Sequence, residues 1–348
     1  MTTVAFERAR SSVAILDPGR GFAEQRGEVE VRRDPLLGDT SVHNPALRAK
    51  AGFFGENDPA LVARLVAASA ASCIFCGDRL REATARYPEA LLPGGRIEVG
   101  EATLLPNLFA LGAYHPVVVI SRAHFLRLDE FAPALLADAL AAARQFLREV
   151  ARHDPAAAAY ASLNANYLFP AGASIVHPHL QMLATPLPYS WHARMLAAAR
   201  EHNARHGTRY HDDLVREERR LGERHVARTG AWDWFAAYAP IGSNEIQAVH
   251  GGAGDIKALT DADLRDLATG LSRVLAFHGS RGHLSFNWSL LGAAGAGGEA
   301  ARCLLRVVTR QNLNAGYRND DYFLQKLLQA ELIVTLPEDL ARDAREFF

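Results

Sequence analysis

The chain has 348 residues, 49% of them apolar and 22% charged, with a formal net charge of −1: the make-up of a soluble globular protein with room for one large or two ordinary domains. Interspersed charge with almost no net sign argues against nucleic acid and against an anionic membrane surface, which leaves small molecules as the default partners. Arg8, Arg10, Asp17, Arg20 and Glu24 interrupt the first thirty residues where a signal peptide needs an apolar stretch, and no later run suits a membrane span, so a cytoplasmic location is expected. Three cysteines make no disulfide framework for a chain this size. The close pair Cys73 and Cys76 suits metal or redox chemistry, and Cys303, standing alone, reads as a buried small hydrophobe.

In chain order, HPVVVIS (115–121) reads as a strand because of its β-branched run. A long amphipathic helix follows within 129–153, where Leu136, Leu140, Ala143, Leu147 and Val150 recur at three- and four-residue steps. ASLNANY (161–167) and SIVHPHLQMLA (174–184) read as two more strands, separated by the turn-forming FPAGA. Residues 191–230, rich in Arg, Glu, His and Ala, read as a helical connection whose histidines (His192, His202, His206, His211, His225) are expected in solvent. The order strand, helix, strand, strand then returns. NEIQAVH (244–250) is followed by a helix capped by Thr260 with Leu264, Leu267, Leu271 and Val274 on its apolar face, and by strands at 283–292 and 302–309. Two copies of one α+β unit are the simplest account.

The stretch SIVHPHLQ (174–181) carries the most chemistry. Alternation along a strand places His177, His179 and Gln181 on one face. One buried histidine is usually a satisfied core residue; three nitrogen-bearing side chains converging on one face point to a site.

His177-Pro178-His179-x-Gln181 after a small-residue turn resembles the active-site strand of the galactose-1-phosphate uridylyltransferases, a branch of the histidine triad superfamily. LPNLFAL (105–111) resembles the family's base-binding stretch with its asparagine, here Asn107, and VISRAH (119–124) its strand ending in a metal-binding histidine, here His124. Asn166 falls where the family has an asparagine ahead of its Gly-Ala turn. RRDPLLG (32–38) is similar to the family's opening segment, which makes Arg48 the phosphate-binding arginine. Residues 234–250 resemble the start of its second half-domain and LPED (336–339) its closing segment. The resemblance spans nearly the whole chain and is strongest from Cys73 to Gln181.

The resemblance implies a zinc site of Cys73, Cys76, His124 and His177, and two thiolates with two imidazoles make the closed tetrahedral shell of a structural zinc. The competing redox reading of Cys-x-x-Cys lacks a thioredoxin-like setting. His179 is then free to attack the α-phosphorus of a nucleotide donor and carry the nucleotidyl group covalently, with the carbonyl of His177 fixing its tautomer. Gln181 donates to a phosphoryl oxygen as charge develops there. Histidine triad hydrolases carry a third histidine at that position, able to protonate a poor leaving group. An amide cannot titrate, which favours transfer or phosphorolysis over hydrolysis. Ser174 either holds a phosphate oxygen or is a turn hydroxyl bonded to its own backbone.

The second half departs from the family pattern. Leu305-Arg306-Val307-Val308 stands where many relatives have a His-x-His for a second metal, Ser289 replaces a histidine, and the family's hexose-binding glutamate and glutamine align near Lys326 and Leu332. No second metal and no galactose 1-phosphate are therefore expected, while Arg318 is a candidate for acceptor phosphate. The expected architecture is an α+β fold of two histidine-triad-like half-domains, 1–190 and 236–348, each an antiparallel sheet with a packed helix, joined through 191–235. The expected function is a nucleotidyltransferase acting on a nucleotide sugar or similar donor and a phosphorylated acceptor, dimeric as the family generally is, with structural zinc. A phosphorylase is the rival within the same chemistry, and a catalytically silent nucleotide-binding protein the rival from another class.

Overall fold

The computed structural model describes residues 3–49, 55–316 and 319–348. β1 (Glu7–Asp17) and β2 (Ala23–Arg33) form a long antiparallel hairpin; β3 (Thr40–His43) extends it, and β14 (Ala330–Ile333) returns from the far end of the chain to lie parallel to β3. α1 (Pro59–Ala70) and α2 (Arg79–Glu82) flank the Cys73/Cys76 turn. Next come β4 (Ile97–Val99), β5 (Ala102–Pro106), β6 (Pro116–Val119), α3 (Pro133–His153), β7 (Tyr160–Tyr167) and β8 (His179–Thr185). The connection holds α4 (Ser190–His206) and α5 (Tyr210–Leu221). It leads to β9 (His225–Thr229), β10 (Trp232–Ala236), β11 (Ile246–His250), α6 (Asp261–Ser280), β12 (Phe286–Ala293), α7 (Gly295–Ala300), β13 (Leu304–Thr309), α8 (Phe323–Lys326) and α9 (Pro337–Ala344).

Ten strands make one sheet in the order β4-β5-β6-β8-β7-β12-β13-β11-β10-β9. The order is palindromic: β7, β8, β6, β5 and β4 are matched across the β7–β12 junction by β12, β13, β11, β10 and β9. Both halves thus repeat one topology, with α3 and α6 side by side beneath them. The cause lies in the residues. Pro133 starts α3, and its buried stripe of Leu136, Leu140, Ala143, Leu147 and Val150 meets the core face of the strands. Thr260 caps α6 by accepting from Asp263 N–H (3.1 Å), while the Asp263 carboxylate accepts from Thr260 N–H (2.8 Å). Gly270 in α6 lets the helix approach the sheet: a Cβ there would stand 2.2 Å from the Trp234 ring.

Two sequence expectations are corrected. The predicted strand 174–184 begins only at His179, because Pro178 lacks an N–H for the ladder and the His177 ring turns toward Cys73 and Cys76; the Pro178 carbonyl still accepts from Ile120 N–H (3.0 Å). The connecting histidines are not all in solvent: His192 and His211 are buried, while His202 and His225 pair with Asp213 and Asp233. Both helices of the connection pack on the structure. Met195, Leu196 and Ala199 of α4 meet Ala293 and Ala301, and Tyr210 and Leu214 of α5 meet Phe235, Val249 and Leu304 on the face of the sheet opposite α6. Among the described residues, no helix is long and apolar enough to cross a membrane.

Candidate active site and metal centre

Cys73, Cys76, His124 and His177 converge, with one ligand atom from each within 4.8 Å of all the others. Cys76 Sγ lies 3.3 Å from His124 Nδ1 and 3.4 Å from His177 Nδ1, and Cys73 Sγ lies 3.7 Å from His177 Nδ1. Ligand atoms of a tetrahedral zinc stand roughly 3.4–3.8 Å apart at ordinary Zn–S and Zn–N lengths, so the donor set fits such an ion. The outer nitrogens are held as well: His177 Nε2 donates to the Ser121 carbonyl (2.7 Å), and His124 Nε2 meets Ser69 Oγ (2.8 Å), which leaves both Nδ1 atoms facing the thiols. Burial pushes the Cys76 thiol up to about 11 and the His177 imidazole down to about 4. Burial thus favours the protonated Cys76 thiol and the neutral His177 ring, and a bound cation would displace the Cys76 proton.

His179 opens β8 and is 8% exposed. Its Nδ1 lies 2.8 Å from the His177 carbonyl, an acceptor, so Nδ1 carries the proton and Nε2 keeps its lone pair. Burial lowers its pKa, which favours the neutral ring. Phe75, inside the Cys73/Cys76 turn, packs at 6.0 Å from the His177 ring and 5.7 Å from that of His179, so the metal turn also buttresses the free histidine. Nothing in the sequence singles Phe75 out beyond its place between the two cysteines.

Gln181 shares the outward face of β8 with His179. From it a row of paired residues crosses the sheet: Gln181 opposite Asn164, Asn164 opposite Ser289, Ser289 opposite Arg306, Arg306 opposite Gln247. Ser289 Oγ donates to Asn164 Oδ1 (2.8 Å), and Arg306 closes the row with a buried ion pair to Glu245 (2.5 Å). Asn166 lies one alternation further along β7 and accepts from Asn287 Nδ2 (2.7 Å). Asn107 Oδ1 accepts from Phe109 N–H, and its amide nitrogen lies 3.3 Å from His115 Nε2. The same His115 nitrogen lies 2.9 Å from Gln181 Oε1. His115 was read only as the start of a strand; a polar aromatic directly before a proline and a β-branched run is the signal it offers.

Ser174 is exposed in the loop before β8. The side chain of Arg48, in the short helix Pro45–Ala49, and the whole of Arg318 lie outside the described residues. In the second half, Lys326 pairs with Asp321 (2.5 Å) and Leu332 is buried in β14. Cys303 is fully buried, and its thiol pKa is driven up by that burial.

The chain matches no protein-family model. It is 28% identical over 330 residues to an uncharacterized protein of Archaeoglobus fulgidus, covering 94% of this chain and 95% of that one. It is 25% identical over 189 residues to the ADP-glucose phosphorylase of Arabidopsis thaliana, covering 49% of this chain and 52% of the other, so the match spans about half of that enzyme. The crystal structure of an ADP-glucose phosphorylase from Arabidopsis thaliana superposes with a TM-score of 0.69 over 91% of this chain and 99% of that one, at 19% identity. A uridylyltransferase structure superposes at 0.62, with 71% and 85% covered and 19% identity. The fold is that of the uridylyltransferases. It is a mixed α+β fold, and the structural likeness covers 91% of this chain, in keeping with a sequence resemblance that spans nearly all of it.

Proposed function

We propose that this chain is a nucleotidyltransferase that carries a nucleoside monophosphate on His179 between a nucleoside diphosphate sugar and a phosphorylated acceptor. The observation that carries the reading is the 2.8 Å bond between His179 Nδ1 and the His177 carbonyl, which leaves a neutral, lone-pair-bearing Nε2 at the start of β8. In the first step Nε2 bonds to the α-phosphorus while the bond from that phosphorus to the bridging oxygen breaks, and the sugar phosphate leaves with the electron pair. In the second step an oxygen of the acceptor phosphate displaces Nε2 from phosphorus. Gln181 donates to the non-bridging oxygens in both directions, Asn107 serves the base, and Asn166, Ser174 and Arg48 serve the phosphates. Cys73, Cys76, His124 and His177 would hold a zinc ion in a structural role, fixing the strand entry, and four protein ligands would leave no position for a catalytic water.

The halves 1–190 and 236–348, joined through 191–235, share this site unequally, with the chemistry in the first. Exposed Leu108, Phe109 and Leu111 beside Asn107, together with Phe323, Leu327 and Leu328 near the C-terminus, support a homodimer, and the absence of a membrane-spanning helix among the described residues fits a cytoplasmic enzyme. Likeness to ADP-glucose phosphorylase favours a second reading within the same chemistry, in which inorganic phosphate is the acceptor.

Intact-protein mass after brief incubation with ADP-glucose, UDP-glucose and dinucleotides tests the proposal. The expected result is an increment of one nucleoside monophosphate in the wild type and none in His179→Ala; retention of the increment in that variant overturns it. Product analysis with phosphate as sole acceptor separates phosphorylase from transferase. Metal analysis of Cys76→Ala, expected to lose zinc and thermal stability together, checks the metal centre.

A further inference from the structure

We propose that His115 is a positioning residue that locks the amide of Gln181 with its carbonyl oxygen turned inward and its NH2 group facing the phosphoryl group on His179. The proposal rests on the nucleotidyl-histidine reading above. His115 directly precedes β6 and is 3% exposed. Leu111 N–H donates to His115 Nδ1 at 2.9 Å. A backbone N–H can only donate, so Nδ1 holds a lone pair and the proton of the neutral ring sits on Nε2. Gln181 Oε1, 2.9 Å away, is the acceptor there. Asn107 Nδ2, at 3.3 Å, is itself a donor, because Asn107 Oδ1 is committed to Phe109 N–H, so it does not compete as an acceptor.

A glutamine amide has two ends of nearly equal size, and only a neighbour that distinguishes donor from acceptor fixes its orientation. With Gln181 reversed, its NH2 would join Asn107 Nδ2 as a second donor against the Nε2–H of His115, and that N–H would lose its acceptor. The ring itself cannot swing away. Asn107 N–H donates to the His115 carbonyl at 2.9 Å, which closes the 107–115 loop, and Pro116 stiffens the next residue. A fixed donor aimed where charge develops needs no reorganisation during the reaction, and this is the contribution His115 makes without touching substrate. The same chain of bonds joins the loop bearing Asn107 and Leu111 to the catalytic amide, so the conformation of the base-binding loop and the orientation of Gln181 are set together.

The test is a double-mutant cycle on the rate of covalent adduct formation with ADP-glucose and UDP-glucose, using His115→Phe, His115→Gln and Gln181→Ala. His115→Phe is expected to lower the maximal rate about tenfold while half-saturation moves less than about twofold, since a net hydrogen bond is at stake and not ground-state binding. His115→Gln, which can restore an N–H near the Nε2 position, is expected to recover most of that loss. In the Gln181→Ala background, His115→Phe is expected to have no further effect. Equal effects of His115→Phe in both backgrounds overturn the proposal, as does failure of His115→Gln to recover the rate. Nitrogen-15 NMR of the histidine ring nitrogens reads the tautomer without any substrate: a proton on Nδ1 of His115 overturns the inference, and a proton on Nε2 supports it. If the wild type forms no adduct with either donor, the nucleotidyl-transfer reading is what has failed for these donors, and the tautomer still decides the geometry.

Discussion

The two halves of the sheet share one strand order and one helix placement, yet their outward faces have opposite fates. In the first half that face presents His179 and Gln181 on β8. In the second, the matching strand β13 presents Leu304, Arg306 and Val308, and helix α5 covers the Leu304 end with Tyr210 and Leu214. At the matching place in the second half this chain has a buried Arg306–Glu245 pair with the guanidinium over the Trp191 ring at 4.6 Å. In the second half the charged groups of that face are thus paired and covered, as burial requires.

Four measurements press on this contrast. The largest effect is expected from His179→Ala, which removes the proposed nucleophile and is expected to lower turnover by at least ~10^4-fold with little change in Tm. Substituting Arg306 by Ala strips the cation from a fully buried Glu245, leaving Gln247 Nε2 and Ile241 N–H on its carboxylate, and is expected to cost about 3 kcal/mol or more in denaturant unfolding. The adduct on His179 should nevertheless still form in the folded fraction; loss of adduct formation in fully folded Arg306→Ala would show that the second half takes part in chemistry. Gln181→Ala is expected to slow adduct formation by about 100-fold, read in single turnover. The smallest effect is on pH. The reactive form of His179 is neutral, and burial holds its pKa below the ordinary value of 6.5, so the rate of adduct formation is expected to stay level as pH falls through 6.5 and to decline only below it. An acid limb centred above 6.5 would mean that the ring is more exposed or charge-paired than the structure shows.

Much of this was legible in the sequence because local patterns coincided with what the tertiary structure needed. The stripe Leu136 to Val150, the Thr260 cap and the alternation of 161–167 specify α3, α6 and β7 without knowledge of the fold. The convergence of Cys73 and Cys76 with His124 and His177 was readable only through resemblance, since residues so far apart in the chain carry no spacing rule. Two readings failed for tertiary reasons. His177 was placed on a strand by alternation, but Pro178 and the pull of the cysteine turn end the ladder at His179. His192 and His211 looked solvated because charged residues surround them in sequence, whereas one face of α4 and one of α5 are buried against the sheet and against Ala293 and Ala301. The place of His115 before Pro116 marks it out only weakly, and its role depends on which backbone N–H reaches Nδ1.

The seam between the halves is a strand pair eight residues long, from Phe286 opposite Tyr167 to Ala293 opposite Tyr160. Its consequence concerns separability. Cutting the chain between the halves would convert β7 from an interior strand into an edge, leaving the N–H and C=O groups of alternate residues unpaired along its eight-residue length, with Tyr167, Ala165 and Leu163 along one side. A fragment holding His179 and Gln181 would then carry an open template for aggregation next to β8. The second half serves the first as the cover on that edge.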